Sequence, residues 1–346
     1  MGNNTSITEH KRHYYRELLC IGVPIIIGQL GTIILGFADT LMIGHHSTEE
    51  LAAAGLVNNI ITFFLVSYMG FSYGLTPIIG KLYGMEKTDK IGQKVKNSFF
   101  ANMVVGVIFS LALIILYFNL HRIGQPEELL ALIRPYFIVN LISVLFVGVF
   151  NTLKQFLDGI GNTKVAMWVM IMGNIVNIFG NWVLIYGVGP CPEMGLLGAG
   201  ISTLASRVLM AVAMVGIIAV TKEYREYRNN IIASRINGAD FREMNRLGWP
   251  VALQLALESG AFTLSCVMVG WLGTIPLAAH QVMITISQLF YLVLSGMAAA
   301  LAIRVSHFVG QNDFAAVRRN AYDGWRLNLL FSLYANPRHA RVSDVP

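Results

Sequence analysis

Two carboxyl groups interrupt stretches of sequence that are otherwise almost wholly apolar. Glu258 stands about halfway along residues 247–272, roughly a dozen positions from either end. Asp39 stands in residues 18–44, about five positions before Gly44, which is roughly 7.5 Å along a helix. A charged side chain at the centre of a bilayer costs roughly 2.5 to 3.5 kcal/mol, so an acid placed there faces protein or a wet cavity rather than lipid. An opposing cation favours the ionised form of an acid and desolvation the neutral form, and switching between the two is the chemistry of ion coupling. Glu258 is too deep for its short side chain to reach an interface, which makes it a candidate proton relay. The alternative is a structural, hydrogen-bonded acid. Asp39 reads either as a protonatable or Na+-binding group or as a side chain solvated at the outer boundary.

Asn174, Asn177 and Asn181 follow one another at i, i+3 and i+7, which puts all three on one face of a helix over 165–187. A polar stripe on an apolar helix seeks polar partners. Either it makes interhelical hydrogen bonds worth about 0.6 kcal/mol each, or its oxygens bind a hard cation such as Na+. Gln254, one turn before Glu258, and Gln281 are weaker candidates for lining a cavity. Arg207, near the middle of 196–220, reads equally as the partner of an anion or as a cation snorkelling to an interface. Enzyme chemistry is not expected: HExxH and Walker A patterns are absent, and the glycines of 195–200 lack the strand-turn-helix setting of a phosphate cradle. Cys20, Cys191 and Cys266 are isolated, so neither a disulfide framework nor a zinc site is expected.

The elements that must position these groups follow from composition. Hydrophobic residues make up 55% of the 346 and charged residues 13%, about half the charge of a soluble domain. Eight stretches are long and apolar enough to cross a bilayer: about 18–44, 51–80, 97–118, 135–157, 165–187, 196–220, 247–272 and 277–303. The net charge of +6 does not point to nucleic acid, because the cations are sorted. Alternate connections hold 19 Lys and Arg and the opposite ones hold Arg122 and Arg134 alone. That bias places the N-terminus in the cytoplasm.

The chain also repeats itself. At an offset of 226, Gly22 and Pro24 fall on Gly248 and Pro250, Gly44 on Gly270, Gly70 on Gly296 and Gly84 on Gly310, with 13 identities in the 63 pairs from Gly22 to Gly84. The identities concentrate at glycine, proline and small residues, where helices start, stop or pack closely. Six spans separate the copies, an even number, so the copies run in the same direction and are related by an axis along the membrane normal. The expected fold class is an all-α polytopic membrane protein, a parallel internal repeat of six-helix lobes. Residues 1–220 form an N-terminal six-helix lobe, 221–246 a cytoplasmic interlobe linker, and 247–346 an incomplete C-terminal lobe. The expected content is eight full spans plus part of a ninth, which starts near Tyr322 and turns polar at Asn336.

The segments GFADTLMIG (36–44), LAAAG (51–55), GLTPIIGKLYG (74–84), NIVNIFGNWVLIYG (174–187), GLLGAGIST (195–203), GWPVALQLALESGAF (248–262), LAAHQV (277–282) and RVSHFVGQND (304–313) resemble the multidrug and toxic compound extrusion (MATE) transporters, NorM-like branch, in family order. The resemblance implies a monomeric transporter in the inner cell membrane with two six-helix lobes around a central cavity. It implies export of small cationic or amphipathic compounds by alternating access, with H+ or Na+ as coupling ion and no other cofactor. Partners would be those substrates and the lipid bilayer, not nucleic acid. By resemblance Asp39 matches the first-helix acid tied to cation coupling, and Asn177, Asn181 and Thr203 match the positions that meet it, a candidate Na+ site at Asp39, Asn177 and Asn181. Relatives often carry an acid where this chain has Asn181. Glu258 matches the seventh-helix Glu of the NorM-like branch. The alternatives are a lipid-linked oligosaccharide flippase-like exporter, for which a basic cavity would speak, and a truncated, transport-inactive fragment.

Overall fold

The structure is a computed structural model and describes residues 2–123 and 126–334. The described residues are helical throughout, without a strand. In chain order the helices are α1 (Gly2–His46), α2 (Thr48–Tyr73), α3 (Leu75–Gly84), α4 (Thr88–Phe118), α5 (Glu127–Gly159), α6 (Thr163–Tyr186), α7 (Gly195–Val220), α8 (Arg225–Ala233), α9 (Gly238–Gly270), α10 (Thr274–Gly310) and α11 (Phe314–Tyr334). Among the described residues eight segments are long and apolar enough to cross a membrane, with α2 and α3 forming one of them. Local chemistry sets several ends. Ser47 caps α2 by accepting from the amides of Glu49 and Glu50, and Gly187 closes α6 with φ 65°, a left-handed conformation that suits glycine.

The repeat is legible in the helix boundaries. Adding 226 to Thr48, Gly84 and Thr88 gives Thr274, Gly310 and Phe314, which start α10, end α10 and start α11. The two non-glycine residues with positive φ, Glu86 at 58° and Asn312 at 59°, are also 226 apart. The copies pack as a two-fold requires, each contact occurring twice with its members exchanged. Gly22 faces Met297 while Gly248 faces Phe71, and Gly70 faces Ala252 while Gly296 faces Ile26. Equivalent residues meet each other at Gly80 and Ser306 and again, one turn on, at Gly84 and Gly310. A Cβ on Gly84 would fall inside the van der Waals shell of the His307 carbonyl, and one on Gly310 inside that of the Lys81 carbonyl. The spacing of small residues four apart is what lets two helices cross backbone to backbone. These contacts lie toward the ends that carry the basic loops, where Arg304 Nη2 also pairs with Glu17 Oε2 across α10 and α1 at 2.6 Å.

Within the first copy α6 packs against α1 and α7, and α5 against α2, α4 and α7. The centre is built around Tyr68, whose hydroxyl donates to the Asn102 carbonyl at 2.8 Å. Gly106 and Gly148 make room for that ring, since a Cβ on either would collide with it.

Residues 221–246 carry helical structure: α8 lies on α4, and α9 begins at Gly238. The polar residues there bind α4, with Lys94 Nζ and Gln93 Nε2 donating to Asp240 at 2.6 and 2.7 Å and Lys96 Nζ donating to the Ser234 carbonyl at 2.6 Å. The ninth long helix, α11, starts at Phe314 rather than near Tyr322 because Asp313 caps it, Oδ1 accepting from the Ala316 amide at 2.9 Å. The polar turn at Asn336 lies outside the described residues.

Candidate functional site

Glycines bring the site together. On α6, Gly173, Gly180 and Asn177 share a face, and a Cβ on Gly173 would crowd Met210 while one on Gly180 would reach Ser202 Oγ at 2.5 Å. The absence of both side chains lets α7 lie against the asparagine stripe. On α1, Gly31 gives up its side-chain space to Asn174, whose Nδ2 would stand 2.7 Å from a Cβ there.

Asp39 of α1 projects into this junction, half-buried. Asn181 Nδ2 donates to Asp39 Oδ1 at 2.5 Å and to Asn177 Oδ1 at 3.2 Å, and both asparagines are fully buried. Asn177 Nδ2 donates to Thr203 Oγ1 at 3.2 Å and to Ser206 Oγ at 3.5 Å, and Ser202 Oγ donates to the Asn177 carbonyl at 2.7 Å. The Asn177 amide is better satisfied turned over. Its nitrogen then donates to Asp39 Oδ1 at 3.0 Å and its oxygen accepts from the Thr203 amide at 3.2 Å. Either way Asp39, Asn177, Asn181 and Thr203 form one cluster, at the junction of α1, α6 and α7. Asn181 Oδ1 is buried beside Asp39 and has no donor. Asn174 lies on the same stripe, with its Nδ2 buried and without a partner.

A second layer joins the cluster from α7, α5 and α2. Arg207, one turn beyond Thr203, donates from Nη1 to Ser143 Oγ at 2.5 Å, and Ser143 Oγ donates in turn to the Asn140 carbonyl at 2.5 Å. Tyr136, also on α5, donates from its hydroxyl to Asn58 Oδ1 at 3.0 Å. Arg207, Tyr136 and Asp39 are close enough to act on one another electrostatically. Of these groups the sequence singles out Arg207, as an anion's partner or a snorkelling cation, and none of Ser143, Asn140, Tyr136 or Asn58. The signal was present on α7, where Ser202, Thr203, Ser206 and Arg207 follow the spacing of one polar face, but the α5 partners sit more than fifty residues away and carried no pattern of their own.

Glu258 belongs to a different environment. It is half-buried on α9 and shares a hydrogen bond with Tyr291 of α10. Gln254 is exposed, and Gln281, also exposed, donates to Cys266 Sγ at 3.0 Å. None of these three has a described partner in the Asp39 cluster. Among the described residues no group of three or more His, Cys, Asp or Glu side chains is placed to hold a metal ion. The junction of α1, α6 and α7 presents carboxylate, amide and hydroxyl oxygens, the ligand types that suit hard cations, with Asp39 as its carboxylate.

The family model described as MatE matches residues 24–183 and 250–336. The chain is 31% identical over 299 residues to the probable multidrug resistance protein NorM of Photorhabdus laumondii, covering 86% of this chain and 65% of that protein. It is 28% identical over 327 residues to the multidrug resistance protein NorM of Photobacterium profundum, covering 93% and 71%. The chain thus spans 65% of the length of the first of these relatives. Among solved structures, that of MATE in complex with MaD3S has the same fold, with a TM-score of 0.83 at 19% identity over 93% of this chain and 72% of that one. With its eight candidate membrane spans and the family match over both copies of the repeat, the chain belongs to the MatE family of multi-pass membrane proteins.

Proposed function

We propose that the protein exports small cationic or amphipathic compounds from the cell by antiport with an inward-moving cation, H+ or Na+, and that the Asp39 cluster couples the two fluxes. The reading also puts the chain in the inner cell membrane as a monomer with its N-terminus in the cytoplasm, in line with the placement of its basic loops. The observation that carries it is a carboxylate held inside a membrane lobe by asparagines of a neighbouring helix, with Asn181 donating to Asp39 at 2.5 Å. Such a group costs stability, which makes an intramembrane acid a functional-site candidate by default. Uptake of a cation there changes the hydrogen bonding between α1, α6 and α7, and a ligand that binds one conformation better than another shifts the balance between them. Glu258, hydrogen-bonded to Tyr291, is a second coupling acid in this reading. Aromatic and methionine side chains suit flat, lipophilic cations by dispersion and cation-π contact. The acidic character of Asp39 and Glu258 favours this over export of anionic lipid-linked saccharides.

The test is ethidium accumulation in cells expressing the chain. Asp39→Asn is expected to abolish export while the protein stays at wild-type level in the membrane, and Glu258→Gln to lower it by roughly tenfold, the loss of about 1.4 kcal/mol of coupling. Unchanged export by Asp39→Asn would remove the cluster from the mechanism. No export by the wild-type chain would favour the view that this polypeptide transports nothing alone.

A further inference from the structure

We propose that Arg207 is the resident counter-cation of the Asp39 cluster and that it sets the cluster against Na+. The inference rests on the reading of Asp39 as a coupling acid and adds to it the identity of an ion that the site refuses.

The oxygens for Na+ are present: the Asp39 carboxylate, the Thr203 hydroxyl, and Asn181 Oδ1, which is buried without a donor. The charge balance is what opposes the ion. Asn177 and Asn181 of α6 reach Asp39 by hydrogen bonds, Arg207 of α7 and Tyr136 of α5 act on it electrostatically, and Thr203 and Ser206 of α7 join it through Asn177. Asp39 carries the single carboxylate among them, and the guanidinium of Arg207 is always protonated. One negative and one positive charge sum to zero, so a bound Na+ would leave an uncompensated positive charge in a poorly solvated setting. A hydrogen bond also holds Arg207 in place. Ser143 Oγ accepts from its Nη1 at 2.5 Å, and Ser143 is itself tied to the Asn140 carbonyl at 2.5 Å. The hydrogen bond thus fixes the cation on the α5 side of the cluster, within electrostatic reach of Asp39 and outside the oxygen set. Removing the charge at Arg207 should therefore create a Na+ site where none operated, using ligands already in place.

The experiment uses the full chain, purified into lipid nanodiscs. Binding of radiolabelled Na+ is measured together with the melting temperature in NaCl against choline chloride at equal ionic strength. The wild type and Arg207→Lys are expected to show no Na+-specific stabilisation. Arg207→Met should bind Na+ roughly 100-fold more tightly, the effect of removing one unit charge several ångströms away at an effective dielectric near 20. The double variant Asp39→Asn with Arg207→Met should lose that gain. Arg207→Gln replaces Arg207→Met if the latter does not fold. Na+ binding by the wild type that disappears in Asp39→Asn overturns the proposal while leaving Asp39 as a coupling acid. So does a folded, charge-neutral variant that binds no Na+, or an Arg207→Lys variant that binds as Arg207→Met does. Normal ethidium export by Asp39→Asn, in contrast, would defeat the coupling reading whatever the Na+ result.

Discussion

Asp39 in α1 and Glu258 in α9 lie on helices that the internal two-fold superposes, yet the two acids are not equivalent. The position 226 beyond Asp39 is Ser265, and the position 226 before Glu258 is Thr32. Seven residues separate Asp39 from Thr32, so the second acid sits roughly 10.5 Å deeper along its helix than the first. The glycines behave in the opposite way. Gly22, Gly44, Gly70 and Gly84 all recur, and most of them sit at contacts made twice between the copies. A residue at a two-fold interface is held in place by both copies of its contact, whereas a residue in the interior of one lobe is not. Duplication therefore preserved the scaffold and left the chemistry free to diverge, and the two lobes carry unlike sites on like frames.

Glycine substitutions should separate scaffold from surroundings with the largest effect. Gly84→Val and Gly310→Val put side chains into the backbone of the opposing helix, and each should lose most of its folded protein in detergent, seen by size-exclusion profile and melting temperature. Gly36→Ala and Gly260→Ala meet nothing within 4 Å and should stay within about 0.5 kcal/mol of wild type. Equal damage from both pairs would mean that the axis contacts do not hold the copies together.

Moving the acid sharpens the second half of the comparison. Asp39→Ser with Ser265→Asp keeps the number of carboxylates and transfers one to the equivalent place in the second copy. Ethidium export should remain lost, because Ser265 has no counterpart of the Asn177, Asn181 and Thr203 partners among the described residues. Recovery of export would show that the two frames are interchangeable after all.

The smallest effect concerns helix caps. Lys87 and Asp313 are equivalent positions at the starts of α4 and α11, and Asp313 accepts from the Ala316 amide whereas Lys87 offers no side-chain cap. Asp313→Ala should cost about 1 kcal/mol and Lys87→Asp should gain up to about that much, read as opposite shifts in chemical melting of the purified protein.

Much of this architecture was legible in the sequence, for physical reasons. Apolar length fixes a membrane span with little help from neighbours, and the eight stretches appear as such. The asparagine stripe was visible because Asn174, Asn177 and Asn181 lie on one helix, where spacing is geometry. Ser143 and Tyr136 escaped, and Arg207 stood between two readings, because their meeting depends on how α5 packs against α7, which no local period reports. The start of α11 escaped because a single aspartate decides it. The contacts of residues 221–246 with α4 carry no local signal, because the partners lie far apart in sequence.

The crossing of Gly84 and Gly310 has a mechanical corollary. A point on the axis between two bodies stays put when they tilt against each other, so backbone contact there costs nothing to maintain through such a motion. The opposite rim of the bilayer is about 30 Å away, and a tilt of about 10° about that pivot carries it through roughly 5 Å. Bare glycine at the fulcrum thus gives the long arms of the bundle their leverage.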